Sequence, residues 1–276
     1  ILRRKYRYPG YVHLKVLPGA GVDQMEKAVE LANRVSLNLE TTGPQKLKRL
    51  SPEKVSYSLY ENLKTLSKVV QQRKPVPRDC QGSEEKIQDF IPSLSTQLVV
   101  GPAGETDKEI VSLAEELHQE YNLRRVYFSA FVPIPETPLE NFPSTPLIRE
   151  HRLYQTDWLI HFYGFKAREL VFDKNNNLPL DKDPKLVWAE KNMHLFPMEI
   201  NKISYEELLR IPGIGPVSAK RILEYRRKNK ICNLAELKNL GVATKRALRF
   251  ILLCGKTPSQ MLDRRYSEKL LLPLNL

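Results

Sequence analysis

The stretch Ser204-Tyr-Glu-Glu-Leu-Leu-Arg-Ile-Pro-Gly-Ile-Gly-Pro-Val-Ser-Ala-Lys-Arg221 holds two helix signals and a tight turn between them. Ser204 and Glu207 have the spacing of a capping box, in which each side chain satisfies the other's unpaired backbone donor. The short helix that they open ends at Ile211-Pro-Gly-Ile-Gly-Pro216. There Gly215 is suited to cap the next helix and Pro216 to begin it, because a first-turn proline gives up a donor that has no helical partner. This second helix is expected to bury Ala219, Ile222 and Leu223 and to expose Lys220, Arg221 and Arg227. A weaker copy follows: Asn233-Leu-Ala-Glu236 repeats the cap, Leu240-Gly241-Val242 the turn, and the last helix has Ala247, Leu248, Ile251 and Leu252 to pack. Residues 198–256 therefore read as two helical hairpins, with 257–276 as a tail.

Charge concentrates in the same region. The chain has 44 Lys and Arg against 32 Asp and Glu, a net +12. Residues 200–256 alone hold thirteen basic and four acidic residues, a net +9, which leaves +3 for everything else. A basic excess in one short window is the footprint of a phosphate-backbone binder, and a solvated basic face is the plain alternative. The turn favours the former. Gly213 and Gly215 flank Ile214 without Cβ atoms, so the backbone can come close to a phosphate there. The free amides at the following helix start carry partial positive charge, with Lys220 and Arg221 one turn further on.

Working outward, residues 1–131 alternate between strand and helix signals. Strands are expected at Tyr11–Leu17, Arg34–Leu39, Gln97–Val100 and Arg125–Phe131. Helices are expected over 21–33, from Ser51-Pro52 to about residue 72, and from Asp107, where Ile110, Leu113, Ala114, Leu117 and Tyr121 share a face. A loop with Pro75, Pro77, Gly82 and Pro92 precedes the third strand. Strand–helix–strand units of this kind build a parallel α/β sheet with right-handed crossovers. Four strands do not close an eight-stranded barrel, so the region reads as the later part of a barrel or doubly wound sheet, with an unpaired edge and an apolar inner face. Residues 132–197 comprise a Pro-rich segment, an aromatic helix over Leu147–Phe165 and a connector. Within the connector, Asp173-x-Asn175-x-Asn177 has the spacing that opens a calcium loop. However, Leu178 and Pro184 stand where Gly and Glu are required, so a turn suffices.

The three cysteines, at 80, 232 and 254, are far apart in the sequence, which predicts no disulfide framework and suits a reducing cytoplasm. The longest apolar run is Phe250–Cys254, far short of a membrane span of ~18 residues, and no signal peptide is visible after Ile1.

Several blocks carry a resemblance: Gly10–Ala20, Arg34–Glu40, Ser95–Gly101, Arg124–Phe131, Arg149-Glu-His-Arg-Leu-Tyr154 and Tyr163-Gly-Phe165. Together they resemble the radical SAM proteins of DNA modification and repair, in which a partial (β/α)6 barrel precedes a helix-hairpin-helix tail. Residues 198–253 resemble the tandem, competence-type helix-hairpin-helix module. The resemblance implies S-adenosylmethionine and a [4Fe–4S] cluster as cofactors, DNA as ligand and a uracil-DNA glycosylase-like partner. It also implies a cofactor wall at the strand ends, with Glu40, Gln97, Gly101, Lys15 and Ser129 as candidate residues. The family's three-cysteine cluster motif is absent. The chain is therefore expected to begin at the third barrel strand and to be inactive alone. Two functions follow: a fragment of a radical SAM enzyme acting on DNA, or a non-catalytic adaptor that holds DNA for a repair enzyme.

Overall fold

The four parallel strands lie in a single sheet in chain order, β1 (His13–Lys15), β2 (Arg34–Ser36), β3 (Ser93–Val100) and β4 (Arg125–Ala130). The computed structural model describes residues 1–3, 5–6, 8–73 and 91–258. The expected loop residues Pro75, Pro77 and Gly82, together with Cys80 and tail residues 259–276, lie outside these. The described chain divides into two compact units, residues 1–157 with 174–178, and residues 158–173 with 179–276.

In the first unit, α1 (Val22–Leu31), α3 (Leu59–Gln72) and α4 (Asp107–Glu120) connect the strands, as crossovers between parallel strands must. Alternation along the strands decides what is buried. Val35, Leu94, Leu98, Val100, Val126 and Phe128 pack on one face with Met25 and Val29 of α1, Leu63 and Leu66 of α3, and Ile110 and Leu117 of α4. Thr106 and Glu109 form a capping box at the start of α4. A buried His118–Asp157 pair, 2.6 Å between Nε2 and Oδ1, ties α4 to α5 (Leu147–Tyr163), and Nδ1 meets the Leu123 carbonyl at 2.7 Å.

The structure departs from the sequence expectations at several places, among them the last expected helix, which stops at Ala247 and gives way to a 3-10 turn and then a strand at Ile251–Leu252. A helix α2 (Pro44–Leu50) follows β2. The helix expected from Ser51 is broken: a 3-10 turn covers Pro52–Tyr57, and Ser58 adopts a left-handed φ of 44° before α3 begins. The sheet face opposite the helices is polar, not apolar. The register aligns Lys15, Ser36, Ser95 and Arg125 on it, with Gln97 beside Tyr127. Finally, Cys232 and Cys254 form a disulfide. Twenty-two positions of sequence hid a pair that the fold brings together.

The second unit is helical around a two-stranded parallel clip of β5 (Met198–Glu199) and β6 (Ile251–Leu252). Between the clip strands lie α7 (Tyr205–Arg210), α8 (Pro216–Tyr225), α9 (Leu234–Asn239) and α10 (Thr244–Ala247), and α6 (Pro184–Lys191) precedes them. Ser204 and Asn233 cap α7 and α9 through the Glu207 and Glu236 amides, as the sequence spacing predicts. Leu208, Ile211, Ile214, Ala219, Ile222, Leu237, Val242 and Ala247 form the core. Among the described residues, no helix is long and apolar enough to cross a membrane.

Candidate nucleic-acid interface

The two hairpin turns are built alike and used differently. Gly213 and Gly241 occupy matching positions with φ of 87° and 86°, a region that L side chains avoid. Gly213 faces inward. A Cβ placed there would lie 2.5 Å from the Ala243 carbonyl and 3.1 Å from the Arg246 Cβ, and its own carbonyl accepts the Ala243 N–H at 2.9 Å. Its glycine thus serves the joining of the two hairpins, and the Ile214 side chain is core, only 1% exposed.

Gly215, half-buried like Gly213, has a different role. It caps α8 in ordinary extended backbone, φ −107° and ψ 176°, and a Cβ there would approach only the Tyr163 hydroxyl, at 3.2 Å. Among the described residues its N–H has no acceptor. Its counterpart in the second turn, Ala243, donates its amide to Gly213. One of the two turns therefore presents an open amide, at the positive end of a ten-residue helix. Lys220 and Arg221 are exposed on the next turn of α8. Not every basic residue of the window is available: Arg210 stacks 3.9 Å over Phe165 and pairs with Glu169, Arg226 donates to the Ile200 and Ile203 carbonyls, and Arg246 pairs with Asp183.

Behind the turn sits a residue that the sequence reading missed. Lys185, in the first turn of α6, is 7% exposed. Its Nζ donates to the Ile214 carbonyl at 2.6 Å and lies 4.7 Å from the centre of the Tyr163 ring. Burial brings its ammonium down to about 7, Arg246 and Arg210 add to the effect, and Asp183 opposes it. No local pattern marks such a lysine, because its partner is 29 residues away.

The candidate cofactor residues of the first unit are not gathered in one place. Lys15 and Gln97 line a cavity of about 300 Å³ on the sheet face opposite the helices, with His13, Ser36, Asn38, Ser95 and Tyr127. Burial there, with Arg34 and Lys15 nearby, lowers the pKa of His13. Among the described residues, the buried Ser95 hydroxyl has no hydrogen-bond partner. Glu40, Gly101 and Ser129 do not line this cavity. The Glu40 carboxylate is bonded to Lys54 at 2.9 Å. At Gly101, φ is 113° and the Thr145 hydroxyl fills the space a Cβ would need. Ser129 is half-buried on β4. The Asn-rich turn docks on the start of α4 instead: the Leu178 N–H and the Arg149 guanidinium bond to Asp107, at 2.9 and 2.8 Å.

Residues 197–247 match the helix-hairpin-helix motif family. No curated protein and no solved structure matches the chain. The motif suggests nucleic-acid binding, and its matched residues include the Gly213–Gly215 turn and α8 but not Lys185.

Proposed function

We propose that residues 198–256 bind the phosphate backbone of DNA, with the Gly215 amide and the first turn of α8 as the central contact and Lys220 and Arg221 as its flanking cations. The observation that carries this reading is the Gly215 amide, which has no acceptor among the described residues, whereas its counterpart Ala243 donates to Gly213. A phosphate oxygen there accepts a hydrogen bond from an amide that has no internal bond to break first. Backbone amides and lysines read charge and spacing, not base edges, so sequence preference is weak.

The finer reading is that the sheet belongs to the later part of a radical SAM (β/α)6 barrel and that the chain is part of an enzyme of DNA modification or repair. Sequential parallel strand order, helices on one face and a polar opposite face support it. The cysteines of this chain do not fit the cluster. Cys232 and Cys254 are bonded to each other, and the described residues hold no group of three metal-ligating side chains. No step is derived through S-adenosylmethionine or iron.

Fluorescence anisotropy of the 276-residue chain on two duplexes of unrelated sequence tests the DNA reading. With ~3–5 phosphates neutralised, log affinity against log salt should have a slope of roughly −3 to −4.5 on both duplexes. Lys220→Ala should reduce that slope by about one without creating a sequence preference. A salt-independent affinity, or a strong preference for one duplex, would overturn the reading.

A further inference from the structure

We propose that Lys185 is a positioning residue for the phosphate-binding turn: by holding the Ile214 carbonyl inward, it turns the Gly215 N–H outward and polarises it. This rests on the DNA-binding reading above and extends it to a residue outside the matched motif. The geometry is that of a single peptide group. The Ile214 carbonyl and the Gly215 amide belong to the same peptide, and that peptide is trans, so the two dipoles point in opposite directions. A buried ammonium 2.6 Å from the oxygen therefore fixes where the N–H points.

The same contact changes the strength of the amide. A cation on a carbonyl draws electron density from the peptide and makes its N–H a better donor, most of all where water is excluded. Tyr163 completes the backing. Its ring faces the Lys185 Nζ, and its hydroxyl is the group nearest the Gly215 Cβ direction. The charged groups around Lys185 are Asp183 on its own element, Arg210 at the end of α7 and Arg246 on α10, and Tyr163, raised by burial, stays neutral. Protonated Lys185 thus backs the anion site from the protein side, and its proton is held less firmly than that of a surface lysine.

Two experiments on the whole chain test this. In the first, Lys185→Met is compared with the wild type on one duplex at fixed salt, alongside a melting curve. The variant should bind about tenfold more weakly below the Lys185 pKa, as expected for loss of one charge-assisted contact. Wild-type affinity should decline as pH rises through about 7, and the variant should lack that decline. A folded Lys185→Met that keeps both wild-type affinity and the wild-type pH profile would overturn the proposal. The second needs no variant: the Gly215 amide proton resonance of the DNA-free wild type should move upfield as pH rises through about 7. A Gly215 resonance that stays fixed across that range would overturn the proposal even if DNA binds. A wild-type chain that binds no DNA while this resonance titrates would instead defeat the nucleic-acid reading.

Discussion

Gly213→Ala and Gly215→Ala, two residues apart in the same turn, should have very unequal costs. At Gly213 the substitution places an L residue at φ 87°, costing about 1–2 kcal/mol. The added methyl also meets the Ala243 carbonyl at 2.5 Å. Relieving that contact loosens the Ala243 N–H bond to Gly213, worth about another 1 kcal/mol, for a total of ~2–3 kcal/mol. At Gly215 the backbone is extended and only the Tyr163 hydroxyl must shift by a few tenths of an ångström, so the cost stays under about 1 kcal/mol. The assay is denaturant unfolding followed by tryptophan emission. Both tryptophans, Trp158 and Trp188, belong to the second unit, so the signal reports on that unit even if the other unfolds separately. Equal midpoints for the two variants would refute the assignment of Gly213, and not Gly215, to the packing of the two hairpins.

Reducing the Cys232–Cys254 bond, which closes 22 positions of chain, should cost the second unit about 3 kcal/mol, read as a lower denaturation midpoint in the same assay with reductant; an unchanged midpoint would contradict the pairing. Burial lowers the His118 pKa, but Asp157 and the Leu123 carbonyl outweigh it and leave the pKa raised above 6.5. Its stabilising contribution is therefore complete below the unfolded value and is lost as pH rises through the folded one. Melting temperatures across that range should show a decline that His118→Gln lacks. Reconstitution with iron and sulfide under anaerobic conditions should leave no stoichiometric iron–sulfur chromophore, because a cluster needs converging thiolates and two of the three cysteines are bonded to each other.

The parts of this fold legible in sequence are those with local causes. Ser204 and Asn233 cap helices through residues three positions away, and the alternation of Arg125-Val-Tyr-Phe-Ser-Ala130 follows from the pleat alone. Gly213 and Gly215 are both readable as a special turn, but not which of them joins the hairpins and which keeps an open amide, since that depends on Ala243 and Arg246 arriving from the second hairpin. Lys185, the disulfide and the occupation of Glu40 by Lys54 are likewise tertiary facts without a local pattern. The polar sheet face was written in the sequence as His13, Lys15, Ser36, Ser95 and Gln97. It was masked by apolar neighbours whose burial against the helices dominates the strand signal. A further disguise lay between β2 and β3. There the pairing gains one residue between Ser36–Ser95 and Glu40–Leu98, and the buried Thr96 hydroxyl bridges the Leu37 carbonyl and the Leu39 amide, at 2.8 and 3.1 Å.

The central claim is that a phosphate is held at the Gly215 amide and not merely attracted to a basic surface. Its most direct test is the duplex affinity of a Gly215→Val chain whose tryptophan-detected unfolding matches the wild type. The branched side chain obstructs the approach to the amide and leaves Lys220 and Arg221 in place, so affinity should fall by about tenfold or more at fixed salt, the worth of one charge-assisted hydrogen bond. Wild-type affinity in the folded variant would contradict the claim and leave only the charge of α8 to explain any binding.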